Sequence, residues 1–261
     1  MRILSIILCF CIFNSSYSQS KTKKINFSSK QSKGITKKNK SVLILWNHVV
    51  FKHNNSVMYC DSATYDRGNN SFIAYSNIRI VENDSMKLYG DSLHYFGNEE
   101  KAYLYGNVKL ITNQILLNAN SLIYDQNNNY AYYKDGGIIK HHGKNYTINS
   151  KVGRFNSINK VLFFKKNVRL EHINYQILSD TLVYHTETEK TNIIGDTKIE
   201  SRNSTISCSY GWFDNNNQTS SLKGNIVINS KKYQFYADSV YYQEQKGEAF
   251  AKGEVKIIDD S

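Results

Sequence analysis

An aromatic residue returns every 29 to 31 positions along most of the chain. Other residues recur in the same register. A small residue stands five positions before the aromatic, and most often an aspartate stands four positions before it. An apolar residue stands three positions before the aspartate. A fixed period of this length is typical of stacked repeat architectures. It predicts one elongated repeat domain over residues 42–261. The aromatic positions are Tyr65, Tyr95, Tyr124, Phe155, Tyr184, Phe213 and Tyr242.

Each repeat contains two kinds of strand. In one kind, apolar residues alternate with charged ones, as in Val108, Lys109 and Leu110, which is the pattern of a strand with one buried and one exposed face. In the other kind, the inward-facing residues switch from one set of alternate positions to the other on crossing the aspartate column. Such a switch requires a β-bulge or a corner in the strand. We assign structural corners to Asp61, Asp91, Asp180 and Asp238, although the column is broken at Asn120, Lys151 and Ser209. A similar corner is expected at the glycine column of the other strand type.

Turn clusters between the two strand types predict about fifteen long, bent antiparallel strands, eight of the glycine type and seven of the aspartate type. The chain contains no proline, which suits a long hydrogen-bonded ladder. Two facing sheets would enclose an elongated groove, and the strands near Val49 and Val255 would present unpaired edges. The predicted groove lining comprises Met58, Leu88, Leu117, Ile148, Ile177, Ile206, Phe235, Val108, Ile138, Val168, Ile226 and Val255.

The first forty residues differ in composition from the repeat. Residues 1–18 combine Arg2 with an apolar run and small residues near Ser18, as in a secretory signal peptide. Residues 19–41 are expected to form a basic, disordered tail. Residues 1–40 hold nine basic residues and no acid, which leaves only +2 of the total charge of +11 for the remainder. The sequence therefore predicts an exported, periplasmic protein that is not integral to the membrane and does not bind nucleic acid.

The motifs of common catalytic and cofactor sites are missing. The histidines lack metal-ligand spacing, and the recurring aspartates are explained by the repeat, so we expect no enzyme activity, no cofactor and no metal. Two cysteines remain after signal removal, Cys60 and Cys208, five repeats apart in the same column. That separation far exceeds the ~7 Å Cα limit of a disulfide. They are predicted to be free, buried thiols.

Several segments together resemble the OstA-like proteins of the Bacteroidetes type, which are related to the periplasmic LptA bridge. The resemblance implies an open β-jellyroll that carries lipopolysaccharide, with its acyl chains in the groove, from the inner to the outer membrane. It also implies edge-strand docking to an LptC-like inner-membrane partner and an LptD-like outer-membrane partner, and head-to-tail self-association is a further expectation. The segments are 47–53, 58–63, 88–93, 104–108, 179–184 and 194–197.

Two other functions are compatible with the same repeat. A β-solenoid whose core is filled by its own side chains would act as a structural spacer or adhesin. A glycan-binding module would use the abundant tyrosines and asparagines. The alternation of large and small inward columns favours an open groove, since glycine and alanine fill little space.

Overall fold

Twenty β-strands and one short 3₁₀ turn form the computed structural model, which describes residues 24–37, 40–82, 86–143, 145–156 and 158–259. The predicted signal peptide lies outside these residues. The strands are β1 (Asn26–Ser28), β2 (Gln31–Lys37), β3 (Lys40–His53), β4 (Ser56–Asp66), β5 (Ser71–Glu82), β6 (Met86–Phe96), β7 (Lys101–Ile111), β8 (Ile115–Asp125), β9 (Tyr130–Tyr133), β10 (Gly137–His141), β11 (Tyr146–Ser150), β12 (Val152–Asn156), β13 (Val161–His172), β14 (Tyr175–His185), β15 (Lys190–Ser201), β16 (Ser204–Asp214), β17 (Thr219–Ser230), β18 (Tyr233–Gln243), β19 (Glu248–Lys252) and β20 (Lys256–Asp259).

The repeat is arranged as a single antiparallel ladder in which each rung pairs with the rungs before and after it in sequence. A rung is either one long strand or two short strands in line, as in β9–β10, β11–β12 and β19–β20. Counted from β3, the described residues form fifteen rungs, alternately of the glycine and the aspartate type. The predicted all-β architecture of about fifteen bent strands is therefore confirmed.

Every rung bends at the same place along the ladder. In β7 the register shifts between Tyr105 and Val108, and the intervening Gly106 and Asn107 have φ values of 71° and 45°. Two consecutive left-handed residues turn the strand sharply, and glycine and asparagine adopt this conformation most readily. The Asn107 amide donates a hydrogen bond to the Asp91 carboxylate at 2.8 Å. The aspartate and glycine corners thus meet in one line across the sheet.

The bend folds the sheet lengthwise into two facing leaves. The first leaf ends in the longer turns, such as 97–100, and the second leaf ends in the shorter turns, such as 112–114. Phe51 of the second leaf stacks on Phe72 of the first, with ring centroids 3.7 Å apart. We call the opening between the two rows of turns the mouth. All four predicted corner aspartates lie at the bend rather than between the leaves, and Asp61 accepts a hydrogen bond from Asn77 at 2.7 Å.

The amino-terminal segment 24–37 corrects the expectation of a disordered tail over residues 19–41, while residues 19–23, 38 and 39 lie outside the described residues. Its strands β1 and β2 lie in line and pair with β3, so they add a sixteenth rung and cover the edge that was expected near Val49. Ile25 and Phe27 turn inward there, and Ile25 is 4% exposed. The lysine-rich composition of this segment led to the prediction of disorder, although it also contains the apolar residues that pack inward. Lysine is common on edge strands, where it protects against aggregation.

The position of Ile138 was predicted wrongly by one residue. Its side chain is 42% exposed, while Ile139 is buried and pairs with Ile148. Gly137 takes the inward position because Tyr133 fills the space above it, and a Cβ on Gly137 would lie 2.6 Å from the Tyr133 ring. Val255 also departs from the prediction, since it is 51% exposed beside the last described rung.

Cys60 and Cys208 are free and buried, as predicted. Burial raises the pKa of Cys60 to about 12 and that of Cys208 to about 11, with the Asp61 carboxylate adding to the rise at Cys60. Both thiols are therefore protonated and unreactive near neutral pH.

Within the part of the chain that the structure describes, there is no helix with the length and apolar composition of a membrane span. The same residues contain no group of three or more potential metal-ligating side chains.

Candidate binding groove

The predicted groove lining occupies the inner faces of the leaves, with two exceptions. Eight of the twelve residues are buried, and Ile206 and Phe235 are partly buried, whereas Ile138 and Val255 are exposed. The inner faces are closely packed toward the amino-terminal end of the ladder and enclose a cavity farther along. The buried eight are Met58, Leu88, Leu117, Ile148, Ile177, Val108, Val168 and Ile226.

The space between the leaves is filled over β3 to β8. Phe51 and Phe72 stack face to face in its centre, and the Tyr95 ring packs against Phe72 at a centroid distance of 5.3 Å. Each of these three side chains is at most 1% exposed. This part of the molecule has an ordinary close-packed core, which has no room for a ligand.

Polar side chains close the mouth over the same rungs. The Tyr95 hydroxyl lies 2.7 Å from His53 Nδ1 and donates to Gln126 Oε1 at 3.2 Å. Gln126 in turn donates to Ser56 Oγ at 2.6 Å. His53 and Ser56 belong to the second leaf, whereas Tyr95 and Gln126 belong to the first. These hydrogen bonds therefore tie one leaf to the other.

Two further hydrogen bonds extend this closure. Asn54 of the second leaf donates to Glu100 of the first at 2.7 Å, and the Tyr124 hydroxyl donates to Glu82 across the mouth. Burial and the Glu82 carboxylate raise the pKa of Tyr124, so its hydroxyl stays protonated as a donor. We call this set the clasp; it comprises His53, Asn54, Ser56, Glu82, Tyr95, Glu100, Tyr124 and Gln126.

The amino-terminal segment seals the end of the filled region. Phe27 packs against Tyr65 at a centroid distance of 5.3 Å, and the Arg67 guanidinium lies over the Phe27 ring. The Ile25 backbone N–H donates to Asn70 Oδ1 at 3.1 Å, which joins the segment to a turn of the first leaf. The groove is thus closed at this end as well as along its mouth.

An apolar cavity separates the leaves farther along, between β11 and β16. Its volume is 310 Å³, equivalent to about ten water molecules at ~30 Å³ each. Both leaves contribute to its walls, and it lies on the mouth side of the bend. The lining residues are Tyr146, Ile148, Leu170, Tyr175, Ile177, Leu182, Tyr184, Thr191, Ile199, Phe213 and Asn215.

One inward column explains why the cavity lies there. Each member of this column pairs with the aromatic residue of the rung before and of the rung after, as Phe72 pairs with Tyr65 and Tyr95. Phe72 is the largest side chain of the column. In the cavity region the same position is held by Thr191, and the next by Ser220. Thr191 and Ser220 leave space that the facing leaf does not fill. Ala102 is smaller still, but it is buried between Tyr95 and Tyr124, whose hydroxyls close the mouth. Sequence reasoning missed this column because its members share neither size nor polarity: Leu43, Phe72, Ala102, Ala131, Leu162, Thr191, Ser220 and Ala249.

Tyrosines give the cavity a polar rim. The rings of Tyr146 and Tyr184 meet edge to face across the leaves at 6.4 Å. Burial, followed by the neighbouring Tyr184, raises the pKa of Tyr146, and burial likewise raises that of Tyr175. Neutral hydroxyls beside an apolar space suit a ligand with an apolar part inside and a polar part at the mouth.

Comparisons with known proteins place the chain in a family. A family model described as "OstA-like protein" matches residues 21–180. Among solved structures, the chain is similar to LptH, described as the LptA-homologous periplasmic component of the conserved lipopolysaccharide transport device from Pseudomonas aeruginosa; the identity is 8%, the TM-score is 0.40, and the match covers 44% of this chain and 94% of that one. No curated protein matches the chain. Because the family model spans more than half of the residues, the chain belongs to the OstA-like protein family.

Proposed function

We propose that the protein is a non-enzymatic lipid carrier that moves lipopolysaccharide through the periplasm toward the outer membrane. The observation that carries the proposal is the apolar cavity between the leaves, with its tyrosine rim at the mouth. Membership of the OstA-like family supports the same function, since the resemblance implies lipopolysaccharide transport.

Acyl chains would bind through burial rather than through specific polar contacts. Each methylene transferred from water to the cavity contributes about 0.8 kcal/mol, and the interaction has no preferred direction along the groove. A chain held in this way can slide without any bond being broken. The polar head would stay at the mouth near Tyr146, Tyr175 and Asn215.

The proposed lipid contacts concentrate in the second half of the predicted lining. Ile148 and Ile177 border the cavity, and the partly buried Ile206 and Phe235 continue the same inner face. Met58 and Leu88 instead pack within the filled core, where they are at most 2% exposed. We assign these two a supporting role in holding the leaves together.

Partners would dock through the ends of the ladder. Within the part of the chain that the structure describes, β2 pairs only with β3, and β19 and β20 pair only with β18. Unpaired strand edges bind other chains by adding strands to the sheet. We extend the proposal to docking with an LptC-like and an LptD-like partner, and to head-to-tail association of copies of this chain.

Photo-crosslinking tests the lipid site. The variant Ile199→p-benzoylphenylalanine places a probe in the cavity wall, and Asn192→p-benzoylphenylalanine places the same probe on the outward face of the same strand. We expect a lipopolysaccharide adduct, identified by mass spectrometry, at position 199 but not at position 192. Equal capture at both positions, or capture at neither, would contradict the proposal.

The spacer alternative is tested by a second experiment, which measures the lipid that co-purifies with the protein. The filled region over β3 to β8 is what a purely structural β-solenoid would have throughout. If the cavity only reflects imperfect packing, lipid extracted with the purified protein will be no more abundant than in a matched blank. Stoichiometric lipid that is released on unfolding would exclude this alternative.

A further inference from the structure

Two larger concave spaces lie on the outer face of the bend, away from the lipid cavity. Their volumes are 870 Å³ and 830 Å³, and Asn167 lines both, so they adjoin. We call the combined space, from Asn107 in β7 to Asn225 in β17, the outer groove. The proposed lipid transport makes no use of it.

The outer groove follows one row of cross-strand neighbours. Each residue of the row pairs with the next, and the row crosses eight rungs. At a spacing of about 4.8 Å between strands, the seven steps span roughly 34 Å. This length suits an oligomer rather than a single small molecule. The row comprises Lys109, Asn118, Ile138, Asn149, Arg169, Leu178, Lys198 and Ser207.

Breaks in the aspartate column leave amides free along the opposite wall. At two corners the aspartate accepts a hydrogen bond from the asparagine of the next rung, since Asn77 donates to Asp61 and Asn107 donates to Asp91. Where the column carries Lys151 or Ser209 instead, the asparagines of the next rung, Asn167 and Asn225, make no side-chain hydrogen bond to another described residue. Within the outer groove, the departures from the repeat therefore expose hydrogen-bonding groups instead of satisfying them.

The groove thus presents five side-chain amides along its length. Five side chains along it make no hydrogen bond to the rest of the described chain, and each primary amide offers two donors and an acceptor. This set suits a ligand that carries closely spaced groups able both to donate and to accept. The five are Asn118, Asn120, Asn149, Asn167 and Asn225.

The charge of the lining excludes a strongly anionic polymer. Four basic and three acidic residues line the two spaces. Polyanions such as nucleic acids require a concentrated basic surface instead. The charged residues are Lys109, Lys151, Arg169, Lys198, Asp135, Asp180 and Asp196.

An extended peptide fits less well. Peptides that lie along a sheet bind mainly by adding a strand to an open edge. The outer groove instead crosses the face of rungs that are already paired on both sides. The backbone groups that such a peptide needs are therefore engaged.

Apolar surface completes the site. Ile138 and Leu178 lie in the row of the groove. Two tyrosines lie beside the lining residues rather than among them: Tyr105 is two positions before Asn107 and 50% exposed, and Tyr210 follows Ser209 and is 56% exposed. An aromatic ring combines an apolar face with a polar tip, which matches a sugar ring with C–H groups on its face and hydroxyls around its edge.

We propose that the outer groove binds a linear, uncharged oligosaccharide through its free asparagine amides, with Tyr105 and Tyr210 stacking on sugar rings at its two ends. The ligand chemistry is the same whether the sugar chain comes from a cell-envelope polymer or from the saccharide of a glycolipid. This site is independent of the lipid cavity.

Titration with lipid-free oligosaccharides tests the proposal on the intact mature chain. We suggest chitohexaose, which carries acetamido groups, and cellohexaose, which does not, followed by ¹⁵N–¹H NMR. Shifts are expected at the amides of Gly136, Gly195 and Gly224, which lie at the bend, and not at Gly68 or Gly247 in distant turns. Shifts confined to the distant turns, or no saturable shift with either sugar, would overturn the proposal.

Matched variants locate the site by calorimetry. The double variant Asn149→Ala, Asn167→Ala should weaken the Kd for the preferred hexaose at least tenfold, and Tyr105→Ala at least threefold. Asn229→Ala and Tyr233→Ala change exposed residues outside the groove and should change it less than twofold. Equal weakening by groove and control variants would refute the assignment.

Two further arms separate the alternatives. Polyphosphate that binds more tightly than either sugar, with affinity lost on adding salt, would show a polyanion site and overturn the proposal. Lipopolysaccharide lacking its outer saccharide should still crosslink at position 199 while chitohexaose is bound. This arm keeps failure at the outer groove distinct from failure of the lipid proposal.

Discussion

The space between the leaves is packed with side chains over β3 to β8, whereas between β11 and β16 it contains a cavity of 310 Å³. Both regions have the same rung spacing and the same bend, and they differ in the residues that fill one inward column. Phe72 reaches the facing leaf, whereas Thr191 does not. A repeat can therefore fix the backbone of a groove while side-chain volume decides whether the groove is open.

The largest expected difference between the regions concerns stability. Phe72→Ala removes a fully buried ring and should lower the free energy of unfolding by about 3–5 kcal/mol, as large-to-small substitutions of core aromatics do. Phe213→Ala should cost well under half of that, because this ring already borders an empty space. Urea unfolding followed by circular dichroism measures both. Equal losses of unfolding free energy would show that the side chains around the cavity are packed as closely as those of the filled core.

The clasp provides the second test. Tyr95→Phe removes the hydroxyl shared by His53 and Gln126, and leaving buried partners unsatisfied should cost about 1–3 kcal/mol. Tyr242→Phe alters the same column where the side chain is 40% exposed, so its effect should stay within about 0.5 kcal/mol. A clasp variant as stable as the wild type would mean that packing alone closes the mouth.

Filling the cavity converts the open region into the filled one. Thr191→Phe gives this position the side chain that stands at Phe72. If the new ring excludes two methylenes of an acyl chain, at about 0.8 kcal/mol each, lipid affinity should fall roughly tenfold. Capture by the probe at position 199 reports the loss, and Asn192→Phe on the outward face of β15 is the control. Unchanged capture with the cavity filled would place the lipid elsewhere.

The two cysteines compare the regions through reactivity. Cys60 lies in the filled region and Cys208 near the open one, and burial raises their pKa values to about 12 and about 11. Only the thiolate is alkylated, so both thiols should react slowly with iodoacetamide in the native protein near neutral pH, and Cys208, with the lower pKa, should react faster. Both rates should rise with pH as the thiolate fraction grows. Faster labelling of Cys60 would indicate that the filled region opens more readily.

Local patterns in the sequence predicted the ladder, its bend and the fifteen rungs from β3 onward because the inward columns share one period. They failed where a single large residue changes the local path, as Tyr133 does opposite Gly137 and Gly153. They also missed the clasp, since no column relates Tyr95 to His53. The amino-terminal rung was missed because Ile25 and Phe27 stand outside the repeat. Whether the groove is open depends on summed side-chain volume, which no single position reveals.

The pairing of each rung with its sequence neighbours alone has a consequence for folding. Contacts in such a ladder are short in sequence, so the structure can nucleate at one pair of rungs and extend outward like a zipper. The most tightly packed pairs, around Phe51 and Phe72, are the natural place to begin. Folding would then advance from the filled region over β3 to β8 toward β20. The lipid cavity would form only after the core that supports it.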